Sequence, residues 1–346
     1  MSFLVVLATH LRPFPGMVGG QVAMDVFFAL SGFLITSLLV SEHARTGRVD
    51  LRNFYARRAL RLLPALWVLL GVWLSAVLLF GPADWMTAVP GATRPEPQQV
   101  LPAVEGVLAA VTYSSNWFMA YHLFSGYVAL GHLWSLAVED QFYLVWAPLV
   151  ALMLATRRRA MLPATISLVA ASLAAPVLVW HGAQSELRIY FGTDTRAASL
   201  LGGAVAAQLW SGGRLDRLFS GAIGALVLGT ATTLTILSGF WMHDTASAQA
   251  WLSGWTVASL SSPVMVAGLV LRSGGVASTL LSHRLVTFVG HRSYGLYLWH
   301  YVWATWVHGI GWSRIPVVVA LSFGAAELSW HLVEKRALAA RRWVST

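Results

Sequence analysis

Residues 20–41 read GQVAMDVFFALSGFLITSLLVS, and residues 42–61 read EHARTGRVDLRNFYARRALR. The first stretch holds a single acid or base, Asp25, close to its start. A helix of that length, rising about 1.5 Å per residue, crosses the roughly 30 Å of hydrocarbon in a bilayer. The second stretch holds Arg45, Arg48, Arg52, Arg57, Arg58 and Arg61. An apolar span followed at once by an arginine-dense segment reads as a transmembrane helix whose next loop is cytoplasmic.

The rest of the chain repeats this pattern. Of 346 residues, 57% are hydrophobic and 11% charged, and the mean hydropathy is +0.65. Soluble domains carry about 25% charged residues. The polar surface is too small for a water-soluble enzyme, and the apolar content is too high for disorder. Apolar runs lie at 1–11, 20–41, 62–82, 134–155, 161–180, 196–211, 218–239, 250–271, 285–308 and 315–334. The expected fold is an all-α polytopic membrane protein of about ten transmembrane helices, forming one membrane domain over 1–346. The first run is too short to cross, so the first helix reads as truncated. No basic residue precedes its apolar stretch, so it does not read as a signal peptide. Gly and Pro cluster at 13–20 and 81–97, as in loops.

Loop charge sets the orientation. A weaker run, 104–121, carries Glu105, Ser114, Ser115 and Asn116. If it is an external or re-entrant element, then Arg157, Arg158, Arg159, Arg214, Arg217, Arg272, Arg284 and the tail bases Lys335, Arg336, Arg341 and Arg342 all join 42–61 inside. Arg12, Arg94, Arg188, Arg196 and Arg314 then fall on or near the outer side, with Arg292 inside a span. The expected localisation is the cell's inner (plasma) membrane, multi-pass, with a cytoplasmic C-terminus. The net charge of +9 comes almost wholly from arginine. Because these arginines are scattered between apolar runs, the charge reads as membrane orientation and not as nucleic-acid binding. Most of the 17 tryptophans read as interfacial belts. The absence of cysteine excludes disulfides, thiolate zinc sites and cysteine nucleophiles.

Ionisable groups inside spans cost about 2.5–3.5 kcal/mol each at a helix centre, which makes them functional candidates. They are His10, Asp25, Glu139, Asp140, Arg292, His300 and His331. His10, Asp25 and Glu139 come from three helices at a similar outer depth. The competing reading is interfacial placement or structural pairing.

Four local patterns occur in order. Residues 24–35 read MDVFFALSGFLI, 54–64 FYARRALRLLP, 132–143 HLWSLAVEDQFY and 293–300 SYGLYLWH. Together they resemble the signatures of the acyltransferase-3 family of membrane O-acyltransferases. The resemblance implies transfer of an acyl group, acetyl by family habit, from cytoplasmic acyl-CoA to a hydroxyl of a glycan, a lipid-linked sugar or a macrolide-like acceptor. Acyl-CoA would be a co-substrate, with no tightly bound cofactor. His10 matches the family's essential histidine and Glu139 its acidic residue. A hydroxyl needs a base within hydrogen-bond reach, histidine titrates in the right range, and a carboxylate steadies an imidazolium. A covalent acyl-histidine is the alternative route. Arg58 and Arg61 match the family's CoA-binding pair; three residues apart, they share a helix face, and guanidinium forks suit phosphates. The competing reading makes them plain cytoplasmic anchors.

Asp25, Asp140, Trp134, Ser135 and His300 are candidate supporting residues. Asp140 stands where the family has a second glutamate. His132 and Asn116 are candidates for contact with the acceptor, and Trp134 for stacking on a sugar. No metal is implied, since no close His/Asp/Glu cluster has ligand spacing. The family carries a basic residue eleven positions before the essential histidine. Counting back from His10 passes Met1, so either the start codon is assigned too late, the favoured expectation, or the element has been lost. The family's terminal motif has Pro where Arg336 follows Glu334 and Lys335. The rival class is a secondary transporter of a lipid-linked glycan or small solute, with the buried acids and histidines as proton relays.

The charge pattern predicts that reporter fusions after Arg48 and Arg159 read as cytoplasmic. An external reading at Arg159 would require 104–121 to cross and would reverse every later loop.

Overall fold

The computed structural model describes residues 2–11, 20–80, 101–121, 123, 130–181, 185–241, 248–272, 275–307 and 314–340. The helices are α1 (Ser2–Leu11), α2 (Gly20–Thr46), α3 (Leu51–Phe80), α4 (Leu101–Val111), α5 (Ser115–Ala120), α6 (Trp134–Thr156), α7 (Arg158–Val179) and α8 (Glu186–Phe191). They continue with α9 (Thr193–Ser211), α10 (Gly221–Trp241), α11 (Ala248–Leu271), α12 (Val276–Leu281), α13 (Arg284–Trp306), α14 (Arg314–Ser329) and α15 (Lys335–Ala340). A 3₁₀ turn, Gly131–Leu133, leads into α6, and a π-helical turn, Trp330–Glu334, joins α14 to α15. No strand occurs among the described residues.

Among the described residues, each of the ten apolar runs falls for most of its length on a helix. Seven helical stretches among the described residues are long and apolar enough to cross a membrane: Gly20–Thr46, Leu51–Leu79, Gly131–Thr156, Arg158–Val179, Gly221–Phe240, Leu252–Leu271 and Arg314–Ala339. The other three runs fall on α1, with ten residues, and on α9 and α13, which carry Asp194, Arg196, His291, Arg292 and His300. The run 104–121 divides into α4, of 11 residues, and α5, of six. At about 1.5 Å per residue neither crosses roughly 30 Å of hydrocarbon. The segments 13–19 and 81–97, and Arg12, Arg94, Arg341 and Arg342, lie outside the described residues.

Large apolar side chains stand exposed along the helices. On α10, Ile223, Leu226 and Phe240 are 66%, 70% and 66% exposed. In water such a surface would aggregate; in lipid it faces its own kind. Pro64, Pro148, Pro163, Pro176 and Pro263 sit inside helices that continue past them, as tolerated where neighbouring structure re-satisfies the freed carbonyls. The arginine-rich turn after α2 is built locally. Gly47, at φ 76°, donates its N–H to the carbonyl of His43, which ends α2. Asp50 then caps α3 by accepting the backbone N–H of Asn53 at 3.0 Å.

The chain forms two compact units, interleaved along the sequence. One comprises Met1–Thr9, Gly16–Val49 and Val138–Val286; the other comprises His10–Pro15, Asp50–Ala137 and Thr287–Thr346. In the first, α2 packs along α9, with α7 and α11 also against α9 and α10 against α11. Glycine sets the approach of α2 to α9. A Cβ on Gly32 would lie 1.8 Å from the carbonyl oxygen of Leu200, and one on Gly203 would lie 2.0 Å from that of Ala29. Lipid tails give apolar helices little reason to associate, so close backbone contact of this kind carries the packing. In the second unit, Leu66, Leu69, Leu70 and Trp73 of α3 meet Leu298, Trp299 and Val302 of α13, with Ala103 and Ala110 of α4 closing the cluster.

A β-carbon at Gly32 or Gly203 has to push two backbones apart. Gly32→Ala and Gly203→Ala are each expected to cost at least the 1–3 kcal/mol or so of an overpacked core. Gly71→Ala on α3, where nothing lies within 4 Å, is expected to leave stability nearly unchanged. Thermal unfolding of the detergent-solubilised variants checks the contrast.

Candidate active site

The second unit collects three histidines. His10 lies in the last turn of α1, His132 sits in the 3₁₀ turn, and His300 lies on α13 between Tyr297 and Tyr301. Residues three and four apart share a helix face, so α13 presents Tyr297, His300 and Tyr301 together. His300 is fully buried. Its Nδ1 lies 2.7 Å from the carbonyl oxygen of Tyr297. A carbonyl only accepts, so Nδ1 carries the proton, and the neutral ring presents a lone pair at Nε2. The Nδ1 of His10 lies 3.0 Å from that Nε2 and is therefore the donor. This chain of hydrogen bonds selects one tautomer of His10, with its basic lone pair on Nε2.

Aromatic rings hold the pair. Tyr301 packs edge-on against His10, centroids 5.1 Å apart, and stacks on His132 at 4.8 Å. The hydroxyl of Tyr297 donates to the carbonyl of His132 and lies 2.5 Å from the hydroxyl of Ser135. The turn carrying His132 and Ser135 is thereby tied to α13. Trp134 and Ser135 are buried, and so is Asn116 on α5.

The same unit holds the arginines. Arg61 on α3 is exposed, Arg58 half-buried. The π-helical turn and α15 pack against α3, and Arg61 interacts electrostatically with the buried carboxylate of Glu334, which accepts from Ser329 at 2.9 Å. Arg292, expected inside a span, pairs with Glu327 through two N–H groups, one at 2.8 Å, and stacks over Phe288 with its guanidinium carbon 3.9 Å from the ring centre. His331 lies 3.2 Å from the same Glu327.

In the first unit, Glu139 is buried and uses Oε1 twice, accepting from Ser31 of α2 at 2.5 Å and from the hydroxyl of Tyr143 one turn along α6. Asp140 beside it is buried as well. Asp25 is fully buried; Ser199 donates to it at 2.7 Å, and Arg196 lies 3.6 Å away, itself 1% exposed and enclosed by the rings of Phe28, Tyr190 and Trp255.

Several of these partners went unseen in the sequence. Arg196 stands at the start of an apolar run, where it looks like a flanking charge on or near the outer side; the structure makes it the buried partner of Asp25. The hydrogen bond at Nδ1 of His10 comes from His300, which the sequence offered only as support. Tyr143 was detectable as the i+4 neighbour of Glu139, and Ser31 as a hydroxyl within an apolar span. The role of Tyr297 carried no sequence signal beyond the motif. No group of three His, Asp or Glu residues arranged to hold a metal occurs among the described residues.

The sequence profile described as "Acyltransferase domain" matches residues 2–333. A Bacillus subtilis (strain 168) protein named "Putative peptidoglycan O-acetyltransferase YrhL" is 32% identical over 356 residues, covering 96% of this chain and 53% of the relative. A Staphylococcus aureus (strain NCTC 8325 / PS 47) protein named "O-acetyltransferase OatA" is 30% identical over 330 residues, covering 91% of this chain and 52% of the relative. The chain thus spans about half the length of the curated relatives it matches. No solved structure matches it. The four ordered motifs, the hydrogen-bonded histidine pair and a profile match over almost the whole length agree, and the chain belongs to the acyltransferase-3 family of membrane proteins.

Proposed function

We propose that this acyltransferase moves an acetyl group from acyl-CoA to a hydroxyl of a glycan acceptor of the peptidoglycan kind. The observation that carries the reading is the His10–His300 pair, in which one buried imidazole fixes the tautomer of another. The relatives' names support the acetyl group and the glycan, and the motif resemblance supports acyl-CoA.

The chemistry follows from the tautomer. Nε2 of His10 takes the proton of the acceptor hydroxyl as the oxygen attacks the thioester carbonyl carbon. The positive charge then on His10 strengthens its Nδ1–H bond to His300, because charge-assisted hydrogen bonds are about twice as strong as neutral ones. The tetrahedral intermediate collapses, the carbon–sulfur bond breaks, and the proton on Nε2 passes to the CoA thiolate. Ester and free CoA leave, and His10 returns to its starting state. Arg58 and Arg61 would hold the CoA phosphates on the cytoplasmic side of a plasma-membrane protein. Glu139 is the acidic candidate. Ser31 and Tyr143 both donate to one of its oxygens, which fixes where the carboxyl group points.

Purified protein in detergent, given acetyl-CoA and the disaccharide N-acetylglucosaminyl-N-acetylmuramic acid, is expected to release CoA. His10→Ala is expected to lower turnover by about 10²–10⁴, the usual range for a general base. His300→Leu removes the acceptor at Nε2 and should lower kcat by at least about tenfold. His300→Gln can restore an acceptor there and should recover much of it. A His300→Leu enzyme with parent turnover would rule out the pair as the working unit. Glu139→Gln keeps the shape, loses the charge and should impair turnover.

The arginines are tested separately. Replacing both Arg58 and Arg61 by Lys keeps the charge but loses the bidentate fork. It is expected to raise KM for acyl-CoA and leave KM for the acceptor unchanged. An unaltered KM for acyl-CoA would reduce the two arginines to membrane anchors.

A further inference from the structure

His132 sits 3.1 Å by its Nε2 from the carbonyl oxygen of Leu298. The carbonyl again accepts only, so Nε2 carries the proton and Nδ1 holds a lone pair. The residue is 3% exposed, and among the described residues Nδ1 meets no hydrogen-bond partner. An unmet polar atom in such a place costs about 1–3 kcal/mol, and one retained in a native structure calls for a physical reason. The position is not slack. The backbone carbonyl of His132 is held by the Tyr297 hydroxyl, its ring is stacked on Tyr301 with centroids 4.8 Å apart, and the ring of His300 stands 5.7 Å away. Tyr301 is also the ring against which His10 packs. A fixed, buried lone pair therefore shares its aromatic wall with the base.

We propose that Nδ1 of His132 binds a second hydrogen-bond donor of the acceptor, a hydroxyl or amide N–H adjacent to the hydroxyl that His10 deprotonates. The assignment rests on the glycan-acceptor reading above. As a hydrogen-bond acceptor this nitrogen takes donors, so fully ionised phosphates and carboxylates are excluded as its hydrogen-bond partner. A thioester offers no donor at its reacting end either. A sugar does, since the carbons near a reacting hydroxyl carry further hydroxyl or acetamido groups. The reacting hydroxyl has one proton, which goes to His10, so the donor at His132 must be a different group. His132 is then a specificity-determining residue: acceptors with a neighbouring donor satisfy the buried nitrogen, and acceptors without one leave it unmet.

Two isosteres separate this role from a structural one. His132→Asn can place an amide oxygen near Nδ1, keeping the acceptor and losing the bond to Leu298. His132→Gln can place an amide N–H near Nε2, keeping that bond and losing the acceptor. Binding of N-acetylglucosaminyl-N-acetylmuramic acid to the full chain in lipid nanodiscs, without acyl-CoA, is read by calorimetry. His132→Gln is expected to weaken it by about tenfold or more, equivalent to about 1.4 kcal/mol, and His132→Asn to stay within a few-fold of the parent. In ¹⁵N-histidine-labelled parent protein, the Nδ1 resonance of His132 should move upfield when the disaccharide is added, a readout that needs no variant to fold. Parent-like binding by His132→Gln, an Nδ1 resonance that stays in place, or no binding of the disaccharide by the parent overturns the assignment. If the parent shows the expected binding pattern and resonance shift yet releases no CoA from acetyl-CoA, the acetyl-transfer reading fails and the His132 assignment stands.

Discussion

Helices in hydrocarbon have no water to turn to, so each polar side chain they bury must be met by another polar group of the protein. That constraint accounts for most of the polar interior here. Asp25 is met by Ser199 and Arg196, Glu139 by Ser31 and Tyr143, and Glu334 by Ser329. Nearly all of these partners come from a different helix or turn, so each bond also fixes how two segments pack. Arg196 shows the cost of the arrangement: a buried guanidinium needs both a carboxylate and three aromatic rings around it. Breaking such a pair by removing one partner typically costs about 3–5 kcal/mol.

Within that constraint the histidines do something more specific. A histidine can be donor or acceptor at either nitrogen, and the protein removes the ambiguity with backbone carbonyls. The Tyr297 carbonyl sets the proton on His300, His300 sets it on His10, and the Leu298 carbonyl sets it on His132. Two of the three settings thus come from carbonyls of α13 itself. Helix geometry decides the tautomer at His300, because a side chain that bonds a carbonyl one turn back in its own helix cannot also be free to rotate.

Close packing complements polar pairing. Gly32 and Gly203 let α2 and α9 approach to backbone contact, and Ser31, the residue before Gly32, reaches Glu139. The motif read as LSGF therefore combines two physical demands in neighbouring residues: a missing side chain where helices touch, and a hydroxyl where a carboxylate is buried.

The sequence by itself determined that the chain is helical and membrane-embedded, because apolar run length and arginine-rich loops are local properties that survive without tertiary contacts. It also determined the family and drew attention to His10, Glu139, Arg58 and Arg61, since these stand in recognisable local patterns. It could not say that Arg196 is buried against Asp25, that Arg292 is held by Glu327, or that His300 is the partner of His10. Those pairs are separated by 171, 35 and 290 positions, and no periodicity connects residues so far apart. Which nitrogen of each histidine is basic was likewise beyond it, because a tautomer is chosen by whichever carbonyl or ring the fold brings within about 3 Å. Only the tertiary structure supplies that neighbour.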